Sequence, residues 1–266
     1  MKIDAHVHMT RDAGFLDALQ AQCQAMGIDR VCLNGLARVY SEYADNADVI
    51  EAARRHPDLI VPFAHLLLGR EGPEEVRRFH DEGFRGLKLI LPPANYDDPS
   101  FYPVYDAAEE LQMVCLFHTG IVKRTERDRD LDVNNDRMRP IRLDTVARTF
   151  PTLAVVGAHL GNPWHDEAAM AGRWNPNLYW DLSGSTLKYR SAEFLHGILW
   201  WDEQSAYRDP EGRHAFAKIV FGSDVPVDTM PEVAADYQSL LDALDVPQHV
   251  RDGIWGDTLA RLLRLA

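Results

Sequence analysis

Histidines and one aspartate recur where apolar runs of this sequence end. His6-Val7-His8 closes the first run, and residues two apart on a strand face the same side, so both imidazoles can reach one ion. His118 ends Cys-Leu-Phe-His, His159 ends Val-Val-Gly-Ala-His, and Asp224 follows Ile-Val-Phe-Gly-Ser. Imidazole and carboxylate together suit zinc, manganese or iron. A buried His or Asp costs free energy unless it is paired or metal-bound. His-x-His alone is a weak motif, and each histidine taken singly reads equally well as a hydrogen-bonded core or surface group. Convergence at several strand ends is what points to a cation. Lys88 lies in the apolar stretch Gly86-Leu87-Lys88-Leu89, and His65 and His165 also fall near strand ends. Most of the other histidines lie in helices or loops and read as solvent-facing.

Eight short apolar runs would position these groups: residues 3–7, 30–36, 59–67, 86–91, 113–118, 153–159, 178–182 and 218–222. They are rich in Val, Ile, Leu and Phe, as strands buried on both faces should be. Helical patterns fall between them at 15–26, 45–55, 73–81, 104–112, 141–150, 165–174, 231–244 and 248–265, the last with a break expected near Gly256. The 73–81 segment opens on Pro73 with Glu74 and Glu75 behind it and stops at Gly83, the usual asymmetry of helix ends. This alternation predicts a distorted TIM (β/α)8 barrel with its metal site at the C-terminal face of the strands. An open doubly wound sheet is the alternative, but no Gly-rich phosphate turn follows the first run. With no internal repeat or linker composition, residues 1–266 read as one domain.

The bulk composition narrows the partners. The chain has 266 residues, enough to bury a core without disulfides or structural zinc. Its net charge of −13 argues against nucleic acid and anionic membranes, while a local cationic pocket could still take an anionic small molecule. Cys23, Cys32 and Cys115 are odd in number and lie in apolar runs, so they read as reduced, buried thiols. The start shows no signal-peptide core and no run is long enough to span a membrane, so a cytoplasmic location is expected. Trp200-Trp201 could serve a homo-oligomer interface, and reads equally well as pocket-lining or core.

Residues 120–139 read as one long irregular connection carrying Lys123, Arg124, Arg127, Arg129, Arg137 and Arg139 among a similar number of acids. Loops of that length are often functional lids.

The segments Asp4-Ala5-His6-Val7-His8, Gly86-Leu87-Lys88-Leu89, Phe117-His118-Thr119-Gly120, Ala158-His159-Leu160-Gly161, Asp181-Leu182-Ser183-Gly184 and Phe221-Gly222-Ser223-Asp224 resemble the amidohydrolase superfamily. The closest resemblance is to its amidohydrolase-related (amidohydrolase 2) branch, which includes metal-dependent hydrolases and aminocarboxymuconate semialdehyde decarboxylase-type enzymes. The resemblance implies that His6, His8, His118 and Asp224 bind metal, that Asp224 also handles the proton of the attacking water, and that His159 is an acid–base or polarising group. It also implies two readings of Lys88. As a carbamate it would bridge two metals; as a free amine it would face a carboxylate or a substrate anion. A single ion is preferred, with Zn2+ the default and Mn2+ or Fe2+ able to replace it.

The expected activity is hydrolysis of an amide, ester or lactone carbonyl in a small, potentially carboxylated substrate. The alternative is non-oxidative decarboxylation of a carboxylated aromatic or muconate-like substrate, a lyase reaction. A non-catalytic metal-binding barrel is the minor alternative. Arg38, Arg124, Asn162 and Trp164 are the candidate substrate contacts, each of which also reads as ordinary loop structure.

Overall fold

The computed structural model describes residues 1–202 and 213–265. Seven parallel strands lie side by side in chain order: β1 (Ile3–His8), β2 (Arg30–Asn34), β3 (Ile60–His65), β4 (Gly86–Leu89), β5 (Val114–Phe117), β6 (Val155–Gly157) and β7 (Leu178–Trp180). Helices α1 (Phe15–Met26), α2 (Asn46–Arg55), α3 (Pro73–Glu82), α4 (Tyr102–Glu110), α5 (Pro140–Thr149) and α6 (His165–Trp174) follow the first six strands in turn. Helix α1 stops at Gly27 and α3 at Gly83, both left-handed with φ of 62° and 112°. Asp45 starts α2 with a reciprocal capping box to Asp48.

The eighth run is not a regular strand, although it lies where one belongs. Ile219 bridges Trp180 of β7, and the Val220 amide donates to the Trp180 carbonyl. On its other side the Ala5 amide donates to the Phe221 carbonyl, and the Asp224 amide to the His6 carbonyl at 2.8 Å. The ring therefore closes, and the fold is a distorted TIM barrel. The ladder fails because two amides go elsewhere: Phe221 donates to the Ile254 carbonyl, and Ser223 to the Asp4 carboxylate at 3.0 Å.

Alternate strand positions divide between two apolar clusters. Ile3, Ala5, Cys32, Phe63, Leu116, Val156 and Val220 pack inward with Leu259 and Leu263, while Val7, Leu33, Leu87, Leu89, Phe117 and Trp180 pack outward under the helices. Regular alternation would keep residues 3, 5 and 7 on one side. A register shift between Asp4 and Val7 changes the phase, so Ala5 faces in and Val7 faces out. That irregularity turns both His6 and His8 toward the barrel axis.

Two stretches depart from the sequence pattern, and a third follows it. Residues 135–138 of the long connection form a 3-10 turn started by the Asn134 side chain. Two short helices, α7 (Ser185–Tyr189) and α8 (Ala192–Ile198), follow β7 where none was read. The C-terminal stretch divides into α10 (Gln248–Asp252), a π-turn at Gly253–Asp257 and α11 (Thr258–Leu263), preceded by α9 (Met230–Ala243), so the expected break at Gly256 is real. Trp201 is buried, Trp200 is partly exposed, and Arg173 lies over the Trp200 ring. No helix among the described residues is long and apolar enough to cross a membrane.

Candidate metal centre

His6 and His8 leave the end of β1, and Asp224 stands on the irregular eighth segment beside it. Donor atoms of these three residues lie within 4.8 Å of one another. His8 Nε2 is 3.1 Å from Asp224 Oδ1, His6 Nε2 is 3.7 Å from the same oxygen, and the two Nε2 atoms are 3.1 Å apart. His6 is fully buried, and its Nδ1 lies 2.9 Å from Asp181 Oδ2. Burial pushes the His6 imidazolium down to about 4 against the raising effect of the neighbouring carboxylates, so its ring is neutral near pH 7. With Nδ1–H donating to Asp181, the Nε2 lone pair points at the cluster.

Asp181 holds the surroundings together. One oxygen accepts from His6; the other accepts from the amides of His159 and Ser183 and from Ser183 Oγ at 2.5 Å. Burial alone would raise its pKa, but the His6 hydrogen bond and the charges of His6 and His159 outweigh it and bring the group to about 2. Asp4 ties the seam from below: its Oδ1 accepts from the amides of both His6 and Ser223 at 3.0 Å, and burial raises its pKa to about 7.

His118 and His159 complete the circle without joining the tight group. Their ring centroids are 4.9 Å apart. His159 Nε2 is 3.6 Å from Asp224 Oδ2, and its Nδ1 contacts Ser183 Oγ at 2.8 Å. His118 Nε2 is buried with no hydrogen-bond partner, and burial, with the charges of His159 and Lys88 behind it, holds the ring well below the usual imidazole range. A buried nitrogen left unpaired costs about 1–3 kcal/mol. Two imidazoles, a carboxylate and this unpaired third imidazole are a donor set that fits a divalent cation. Asp224 stays ionised: burial raises its pKa, but the charges of His6 and His8 and the His8 hydrogen bond carry it well below the usual carboxylate range. Asp224 and His159 both sit on left-handed backbone, with φ of 48° and 63°, a strained conformation for such residues and typical of functional positions.

Lys88 reaches the same cluster from deeper in the barrel. It is 1% exposed, and its Nζ lies 2.9 Å from His6 Nε2. Burial lowers its pKa to about 8 against the pull of Asp224 and Asp181.

None of the other candidates is among these clustered donors. Arg38 donates to Glu71 Oε1 at 2.6 Å and to the His65 carbonyl, and with His65 it lines a separate cavity of about 510 Å3 between α2 and α3. Arg124 is exposed on the long connection. Asn162 receives the Ile121 amide on its carbonyl, and Trp164 lies under Arg139 at 5.3 Å. Two of the loop arginines pair with acids, Arg137 with Asp132 and Arg139 with Asp136 and Glu167, and Arg127 donates to the Val39 carbonyl. His165 is satisfied by the Leu160 carbonyl. Sequence reading did not single out Asp181 and Asp4 as site residues. A carboxylate inside an apolar run was the available signal, and both sat in the quoted motifs.

The sequence model of a protein family described as Amidohydrolase matches residues 3–265. None of the curated proteins matches the chain. Among solved structures, an uncharacterized TIM-barrel protein from Bordetella bronchiseptica is 20% identical with a TM-score of 0.73, covering 99% of this chain and 98% of its own. A probable 2-pyrone-4,6-dicarboxylic acid hydrolase from Acinetobacter baumannii, solved with citric acid bound, is 13% identical with a TM-score of 0.68 and 99% coverage of both chains. A dihydroxybenzoic acid decarboxylase from Polaromonas sp. JS666, solved with manganese and the inhibitor 2-nitroresorcinol, is 15% identical with a TM-score of 0.65, covering 99% of this chain and 97% of its own.

Proposed function

The chain belongs to the amidohydrolase family, and on that premise we propose that it is a metal-dependent hydrolase acting on an ester, lactone or amide carbonyl of a small molecule. The observation that carries this reading is the approach of His6, His8 and Asp224 donors to within 4.8 Å at the C-terminal ends of their strands. These three, with His118, would hold one divalent ion, zinc being the default for imidazole-rich sites and manganese the precedent in a similar barrel. Such an ion supplies Lewis acidity and an acidified water at neutral pH.

The chain's own groups supply the proton handling. Asp224, ionised and 21% exposed, is placed to accept a proton from water at its Oδ2 side and to return it to the leaving group. His159 faces that same oxygen through Nε2; its Nδ1–H donates to Ser183 Oγ, whose own hydrogen goes to Asp181, so Nε2 is free to take up a proton and, once protonated, to donate it to a developing oxyanion. Asp181 keeps His6 in the tautomer that presents Nε2.

Metal analysis with turnover tests this reading. Protein prepared without chelator should carry about one ion per chain, and Asp224→Asn should lower kcat by roughly a thousandfold on any ester or lactone substrate. Protein that never binds metal would overturn it. Decarboxylation is the second reading, favoured by His159 Nε2, 3.6 Å from the Asp224 carboxylate, as a proton carrier beside the metal residues. Release of CO2 from a carboxylated aromatic, with no carbonyl hydrolysis, would establish it. The family match runs from residue 3 to 265, which supports residues 1–266 as one domain. Three buried free thiols support a reducing, cytoplasmic compartment.

A further inference from the structure

A groove of about 630 Å3 opens directly on His8 and Asp224, between the start of α1 and the segment after Asp224. That volume suits a small ligand. Its walls are mainly apolar: Phe15, Ala18 and Ala21 from α1 and its start, and Val225 and Val227 opposite. The charged groups on it are acidic. Asp12 and Asp228 stand on the walls, and Asp224 closes the metal end. No lysine or arginine lines it among the described residues. The arginine nearest in sequence, Arg11, is not among the lining residues and donates to the Tyr43 carbonyl at 2.9 Å.

We infer that this groove binds the part of the substrate that points away from the metal, and that this part is apolar and carries no negative charge. The inference deepens the functional reading above and rests on it only for the location of the reacting carbonyl. Apolar area buried on these walls favours binding. A carboxylate on the same arm would lose hydration without gaining a cation, and it would face Asp12 and Asp228. The net charge of −13 adds a long-range field of the same sign. A carboxylate elsewhere on the molecule is compatible only where it meets the metal. This separates the chain from an enzyme for dicarboxylates, whose second acid group would need a cationic partner at the far end.

Two amides that differ only at their far end test it by calorimetry on the metal-loaded protein: N-phenylvaleramide and N-phenylglutaramic acid. The valeramide should bind about tenfold or more tightly than the acid, and the ratio should shrink at high salt, because the acids are exposed. Ala18→Trp, on the exposed face of α1, should fill the groove and abolish valeramide binding while metal content stays the same. Asp228→Lys should narrow or reverse the ratio. Equal binding, tighter binding of the acid, or an unchanged affinity in Ala18→Trp would overturn the inference. Binding is read without turnover, so a protein that shows this preference but cleaves neither amide nor any ester sinks the hydrolase reading and leaves the groove assignment standing.

Discussion

His6 and Asp181, 175 residues apart in sequence and both fully buried, share a 2.9 Å hydrogen bond that fixes which nitrogen of His6 faces the cluster. An ionised Asp181 requires the proton on Nδ1 and leaves the Nε2 lone pair free. Asp181→Asn can present its NH2 group instead and favour the wrong tautomer. Metal affinity of this variant is expected to fall by about 10- to 100-fold. Competition with a chelator of known affinity measures it, and an unchanged Kd would mean that the carboxylate has no part in orienting the ring.

Lys88 Nζ lies against the same His6 lone pair that a cation would use. In a one-ion site the amine competes with the metal and adds a like charge. Lys88→Met should therefore keep one ion per chain and bind it more tightly, by about tenfold. Loss of an ion on this substitution would establish the carbamate-bridged pair in place of the single-ion site.

His65 is expected to make stability, rather than catalysis, depend on pH. It is 2% exposed, and burial, with the charges of Arg38 and Lys88 behind it, lowers its pKa to about 3. The unfolded chain takes up a proton near pH 6.5 that the folded chain refuses down to about pH 3. The contribution of a neutral His65 is thus complete above the unfolded value and is lost as pH falls through that window. His65→Gln should reduce the slope of unfolding free energy between those limits by about 1.4 kcal/mol per pH unit. Urea titrations at pH 4.5 and pH 7.0 on both proteins check this.

Gly157 ends β6 two residues before His159, and the Trp180 ring of β7 covers it so closely that an added Cβ would fall well within 3.0 Å of ring carbons. Neither strand can yield without moving the other. Gly157→Ala should lose about 2 kcal/mol or more of stability, read as a drop in the urea midpoint with an unchanged m-value.

The strand ends carrying His6, His8, His118, His159 and Asp224 were legible because buried parallel strands read as short apolar runs, and a polar residue at the end of each stands out. Helix α1 was read to its last residue because Gly27 marks its stop. The eighth strand looked like its neighbours in sequence; only the diversion of the Phe221 and Ser223 amides to Ile254 and Asp4, both distant in the chain, makes it irregular. Helices α7 and α8 are five and seven residues long, too short to show a helical period. The role of Asp181 depends on a partner at the far end of the chain. The groove depends on which face of α1 the barrel leaves open, and no local pattern encodes that.

The irregular eighth segment has a consequence for how the molecule breathes. Strand ladders join every neighbouring pair from β1 to β7, with one register shift in β1, whereas the join back to β1 rests on a few isolated hydrogen bonds and on Asp4. His6 and His8 stand on one bank of that join and Asp224 on the other, more than two hundred residues along the chain. An ion held by all three acts as a clasp across the weakest seam, closing a very long loop of the unfolded chain at the same stroke. Loading metal should therefore slow amide exchange first at residues 4–6 and 220–224, before the helices on the opposite wall register that anything has bound.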